Sequence, residues 1–208
     1  MSKNLFRILI VFLVVILNSC IIVVHEEKRV QEFEQELVLS PKPILKMSEN
    51  IIRSDKGDMI AFLPDGWFLV NVESKVTPDI IAVAMNPDYT LSAVFSVLRN
   101  NELIKQIIEK EGLFGLARIS LDRRENKTVG FVKQIGKYQQ INMGAQDFVK
   151  YEYSNTGGAL IARSAVYIST TGDLYEFSLV PVNVKNNIMP SPREFDDIFQ
   201  SFLASINY

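Results

Sequence analysis

The chain has 208 residues, 48% of them hydrophobic, and 22 basic side chains stand against 24 acidic ones for a formal net charge of −2. That balance excludes a nucleic-acid binder working by bulk charge. One cysteine and one histidine exclude an intrachain disulfide framework, a thiolate zinc cage and a multi-histidine metal centre.

Lys3 and Arg7 precede an apolar run from Ile8 to Leu17, and Ser19-Cys20 closes it with small residues. This is the layout of a secretory signal. Leu17-Asn18-Ser19-Cys20 resembles the bacterial lipoprotein signal, in which an aliphatic, a variable and a small residue precede the cysteine; Asn18 is a less usual occupant of the variable position. The resemblance implies cleavage before Cys20, diacylation of its thiol and a further acyl chain on the new amino group. Two or three chains hold a protein stably on a bilayer where one gives marginal binding. The competing reading is an uncleaved signal anchor, because Ile21-Ile22-Val23-Val24 extends the run toward the roughly 17 to 25 residues of a spanning helix. Either way the remainder lies outside the cytoplasm, in the bacterial cell envelope, with inner and outer membrane both open. An acylated Cys20 also leaves no free thiol. Loss of residues 1–19 removes Lys3 and Arg7 and no acidic group, so the formal charge moves from −2 to −4.

Residues 1–19 are thus expected to be a leader, 20–57 a lipid anchor and tether, and 58–208 a globular domain. The tether reading rests on the charged stretch His25 to Glu36 and on Ser40-Pro41-Lys42-Pro43, which breaks regular structure. A flexible chain of that length would span roughly 35 Å root mean square. Val30, Phe33 and Leu37 would share one face of a short helix, an alternative for residues 26–38.

From Asp58 the pattern turns to short β-rich runs. Met59 to Leu63 ends at Pro64-Asp65-Gly66, a turn sequence in which Pro sets φ and Gly accepts positive φ. Trp67 to Ser74, Asp79 to Met85 and Thr90 to Leu98 are the next strands, punctuated by Thr77-Pro78 and Asn86-Pro87-Asp88. Asn100-Asn101 and Glu102 then open a helix, with Leu103, Ile104, Ile107 and Ile108 on one stripe. Gly112 should end or bend it, and Leu113 to Arg123 continues with a similar apolar face. Strands return over residues 129–139, 145–154, 160–170 and 174–180. The chain closes with a helix announced by a capping box, Ser191-Pro192-Arg193-Glu194, and by Phe195, Ile198, Phe199, Phe202, Leu203 and Ile206 at helical spacing.

The Pro-Asp-Gly-Trp turn, central helix pair, antiparallel meander and aromatic closing helix together resemble the PsbP-like superfamily over about residues 55–208. That group includes photosystem-associated PsbP proteins and DcrB-type bacterial lipoproteins. The resemblance implies an α+β fold, a single α/β/α sandwich with a mainly antiparallel sheet and helices packed on its faces. Its members share no catalytic site, so it transfers no site residue.

The residues themselves offer little chemistry. His25 falls in the expected tether, so no Ser-His-Asp triad or histidine-ligated metal can form in the domain. Asp196-Asp197 are helix neighbours that point apart, and Asp55-Lys56-Gly57-Asp58 lacks the oxygen-rich loop of a calcium site and reads as a turn. Gly112 and Gly115 lack the pattern of a phosphate loop. No catalytic residue, metal ligand or cofactor is therefore assigned. Cations outnumber anions between Arg118 and Lys150, which makes Arg118, Arg123, Arg124 and Lys127 a candidate docking face for an acidic partner or anionic head groups. The favoured function is a membrane-tethered, non-enzymatic binding or assembly-factor module, held by lipid on Cys20 and contacting an envelope protein or lipid but no nucleic acid. The alternative is an envelope hydrolase using an Asp/Glu pair about 5 to 9.5 Å apart across a cleft.

Overall fold

The computed structural model describes residues 34–38, 41–71, 79–128, 131–155, 160–184 and 187–206. The leader, Cys20 and His25 lie outside the described residues, as do most of the stretch read as tether upstream of Glu34 and part of the predicted strand 67–74.

Ten strands and two helices are described. They are β1 (Glu34–Val38), β2 (Met47–Arg53), β3 (Ile60–Pro64), β4 (Phe68–Val70), β5 (Ile80–Met85), β6 (Leu91–Leu98), α1 (Glu102–Lys127), β7 (Lys133–Met143), β8 (Gln146–Asn155), β9 (Leu160–Ile168), β10 (Leu174–Pro181) and α2 (Pro192–Ser205). Eight strands form one sheet in the order β1-β7-β8-β9-β10-β6-β5-β4, and β2 and β3 form a separate hairpin. The sheet is mixed: β1 runs parallel to β7, and its other pairs are antiparallel.

The imperfect alternation of the second-half strands has a simple cause, which is burial of both sheet faces. Successive side chains of a strand point to opposite faces, so Phe148, Ala165, Tyr167, Phe177 and Leu179 join one core with Phe199, Phe202 and Leu203 of α2 and with Ile52, Ala61, Leu63 and Trp67 around the hairpin. Val149, Tyr151, Tyr153, Ala162, Val166 and Leu174 join the other, with Ile104, Leu116, Ala117 and Leu121 of α1. Each helix covers one face.

Part of the expected tether belongs to the domain, and the boundary at Asp58 is corrected accordingly. The first described strand starts at Glu34. Glu34 to Val38 pair with Gln139 to Met143 as an edge strand, not as the end of a helix over 26–38. Backbone bonds, blind to side-chain polarity, hold so charged a segment in a sheet. Gly144, at φ 63°, donates its N–H to the Val38 carbonyl at 2.9 Å. Further along, Ser201 of α2 accepts the N–H groups of Ile44 and Leu45 on one hydroxyl, both at 3.0 Å, and Ile52, paired with Ala61 of β3, is buried in the core. Pro41 and Pro43 thus turn the chain between two strands.

The central helix kinks at Gly112, whose φ of 62° and ψ of −148° only glycine adopts without strain. Asn101 caps it, accepting from the Ile104 N–H at 2.9 Å. The capping box of α2 forms with both bonds: Ser191 Oγ accepts from the Glu194 N–H at 3.3 Å, and the Glu194 carboxylate accepts from the Ser191 N–H at 2.8 Å. Ser191→Ala should cost about 1 kcal/mol in a urea melt, with no change in secondary-structure content.

Candidate docking groove and the buried polar sites

Chemistry in a domain without histidine must come from carboxylates, hydroxyls or amines, so the buried carboxylates are the first test. Glu176 occupies the middle of β10 at 5% exposure, facing α1. It accepts from Arg124 Nη2 at 2.7 Å and from the Tyr151 hydroxyl at 2.6 Å. Arg124 also donates to Ser178 Oγ at 2.7 Å, Ser178 shares a 2.6 Å bond with Ser164, and Ser120 bonds Tyr151 at 3.0 Å. The guanidinium lies 5.0 Å from the centre of the Tyr153 ring. Burial pushes the Glu176 carboxyl up, but the Arg124 charge and the donated hydrogen bonds outweigh it and hold the group below its usual range. Burial and the adjacent Glu176 carboxylate drive the Tyr151 phenol well above its ordinary value. The cluster therefore holds an ion pair and a neutral phenol, which ties α1 to the sheet.

Arg124, one of the four cations of the candidate docking face, pairs with Glu176 at 2.7 Å. Arg118 pairs with Glu111 at 2.7 Å, and Arg123 shares Asp79 with Arg99, at 3.3 and 2.8 Å. Lys127 is exposed and lines a shallow cleft of about 170 Å³ with Asp79, Ser96, Arg123 and Glu176. Three of the four cations are thus paired within the fold. Sequence patterning cannot see a carboxylate 52 residues away, yet one signal was present: a lone Glu inside Leu-Tyr-Glu-Phe-Ser-Leu-Val, where a buried charge demands a partner.

The second buried carboxylate is Asp58, which sequence reasoning treated as part of a turn. The turn forms, with the Gly57 N–H donating to the Ser54 carbonyl at 3.0 Å. Asp58 then accepts from four hydroxyls: Ser54 at 2.7 Å, Ser169 at 2.7 Å, Thr171 at 2.7 Å and Tyr175 at 2.5 Å. Burial opposes ionisation, but the four donors prevail and hold the carboxyl far below the usual range. Tyr175 is pushed up to about 12 by burial and by its bond to Asp58. Lys56 and Asp173 add a flanking ion pair at 2.7 Å. The loop before β3 is thereby fastened to the β9–β10 turn. Among the described residues no three His, Cys, Asp or Glu gather as a metal site.

A groove of about 540 Å³ is a different kind of place. Its walls are two turns, Pro64–Trp67 and Asn86–Thr90, and the segment Ile188–Pro190 leading into α2. Each is fixed locally. Trp67 N–H donates to the Pro64 carbonyl at 3.1 Å, and the Asn86 side-chain oxygen accepts from the N–H groups of Thr90 and Leu91, each at 2.8 Å. Asn187 donates its side-chain amide to the Asp88 carbonyl, tying this segment to the second turn. Trp67 anchors the base, edge-on to Phe202 at 5.1 Å. Leu45, Pro64, Pro87, Met189, Pro190 and Ile198 add apolar surface, and Ile188 stands 92% exposed at the side. Asp65, Asp88, Glu194 and Asp197 supply four carboxylates against the single ammonium of Lys46. Lys46 is held by Asp65 at 2.8 Å, and the Glu194 carboxylate serves the cap of α2. Asp88 and Asp197 make no ion pair among the described residues.

Comparison with solved structures recovers the solution structure of cyanobacterial PsbP (CyanoP) from Synechocystis sp. PCC 6803. The TM-score is 0.54 at 15% identity, over 79% of this chain and 93% of that one. The domain has a PsbP-like fold. At that identity the likeness concerns architecture alone. A crystal structure from Bacteroides thetaiotaomicron VPI-5482 aligns with 76% of this chain and 47% of its own at 18% identity and a TM-score of 0.39. No protein-family profile and no curated protein sequence matches the chain. Among the described residues the groove offers a concavity of about 540 Å³.

Proposed function

We propose that the chain is a membrane-tethered, extracytoplasmic lipoprotein whose PsbP-like domain acts as a non-enzymatic binding or assembly-factor module. One observation carries the reading. Among the described residues the two buried carboxylates are saturated by internal donors, whereas the groove of about 540 Å³ presents apolar walls and outward carboxylates. A site arranged in that way suits recognition better than proton transfer, which needs an acid or base poised near the working pH. The envelope address rests on Leu17-Asn18-Ser19-Cys20, and membrane attachment by acyl chains on Cys20 follows from it.

The test of attachment is Cys20→Ala. The variant is expected to leave the membrane fraction while melting at the wild-type temperature; a protein that stays integral with its leader uncut would replace the lipid anchor by a spanning helix. Crosslinking of the native protein in its own envelope, read by mass spectrometry, tests the module itself. A reproducible envelope neighbour supports it, and the absence of any neighbour with turnover of an envelope glycan would overturn it in favour of a hydrolase.

A further inference from the structure

The groove has the attributes of a preformed recognition site. Three prolines stiffen its walls, because each fixes φ and little freedom remains to be lost when a ligand enters. Its neighbouring turn bears a strained residue: Tyr89, between the lining residues Asp88 and Thr90, holds a φ of 58°. A non-glycine side chain in that region is disfavoured and persists where surrounding bonds over-determine it. Here the Tyr89 N–H bonds the Asn86 carbonyl at 3.0 Å. The strained ring is half exposed and sits edge-on to Phe68 at 5.4 Å, beside an exposed Leu69. Together with Ile188, this gives an acidic groove with exposed apolar side chains on two of its walls.

Charge decides the class of ligand. The carboxylates outnumber the one ammonium, which is already neutralised by Asp65, and Asp88 and Asp197 make no ion pair among the described residues. An anionic head group or acidic peptide would meet repulsion there. A cation with an apolar body would gain both hydrophobic burial and Coulombic attraction. A groove of this volume takes a few side chains, not a folded domain. We infer that it receives a short cationic segment of a partner protein, an aromatic or aliphatic anchor flanked by Arg or Lys, with the anchor against the exposed Ile188, beside the buried Trp67 at the base, and the cations at Asp88 and Asp197. The inference rests on the reading of the domain as a binding module and names the chemistry of its partner.

The experiment uses the full lipid-anchored chain in uncharged detergent micelles, challenged with a random ten-residue peptide library. Enriched peptides should carry an apolar residue with at least two nearby Arg or Lys. Their affinity should fall about tenfold in Asp88→Asn/Asp197→Asn and in raised salt, as expected for charge-complementary contacts. Lys127→Glu, which does not line the groove, should leave affinity unchanged, and wild-type melting of every variant guards against misfolding. No enrichment, enrichment of acidic or neutral peptides, or binding indifferent to Asp88→Asn/Asp197→Asn would overturn the proposal. Photo-crosslinkers at positions 188 and 127 in the native envelope separate the two levels. An envelope protein captured only from position 127 would sink the groove and leave the module standing. Capture from neither position would sink both.

Discussion

Arg124→Leu is expected to lower the unfolding free energy by about 3–5 kcal/mol, read as a fall in the denaturation midpoint with little change in slope. The magnitude comes from what stays behind. Glu176 is buried in the central strand β10 at 5% exposure, and without the guanidinium it keeps the hydroxyls of Tyr151 and Ser120 but no cation. An uncompensated buried carboxylate either pays its desolvation or takes up a proton. The same substitution strips Ser178 of its 2.7 Å donor and removes the cation from the Tyr153 ring. The double variant Arg124→Leu/Glu176→Leu removes both charges and should recover more than half of the loss, since a buried pair replaced by apolar side chains is often neutral. A double variant no better than the single one would show that the cluster acts through its shape and hydroxyl network, not through the ion pair.

That cluster also marks where the sequence was legible and where it was not. Elements governed by local signals were readable: the capping box at Ser191 and Glu194, the break at Gly112, the turn at Pro64-Asp65-Gly66. Each depends on residues a few positions apart. The errors arose where distant partners decide. Glu34 to Val38 looks like solvated chain until β7 offers it a ladder, and Ile44 and Leu45 look like linker until Ser201, more than 150 residues on, accepts their N–H groups. The pairing of Arg124 with Glu176 is hidden for the same reason. The groove is harder still, because its turns lie far apart in the chain and each alone reads as punctuation. What the sequence did show about it was its chemistry: Pro with Asp at Pro64-Asp65 and Pro87-Asp88, and carboxylates at the start of the closing helix.

The second large effect is acid sensitivity centred on Asp58. Its folded-state carboxyl lies far below the unfolded value of about 3.9, and that of Glu176 lies below about 4.3. Between those limits the unfolded chain binds protons that the native state refuses, so stability rises with pH across the interval. The contribution is fully present above about pH 5 and drains away as the pH falls through the unfolded values toward the folded ones. Urea melts should therefore share one midpoint from about pH 5.5 to 8 and slide downward below about pH 4.5. Asp58→Asn removes one of the two titrations and leaves four hydroxyls facing a neutral amide. It should cost about 2–3 kcal/mol at pH 7, the worth of a few charge-assisted bonds after re-pairing, and should show a shallower acid limb than the wild type. A mirror effect holds in alkali: Tyr175, pushed up to about 12 in the fold, stabilises the native state below its unfolded value near 10 and releases that stability as the pH climbs through the folded value. An Asp58→Asn protein with the wild-type acid profile would mean that the loop before β3 does not depend on its charge. The fastening of the β2–β3 hairpin to the β9–β10 turn would then have to rest on the Lys56–Asp173 pair, which is too exposed at the lysine to carry such a load.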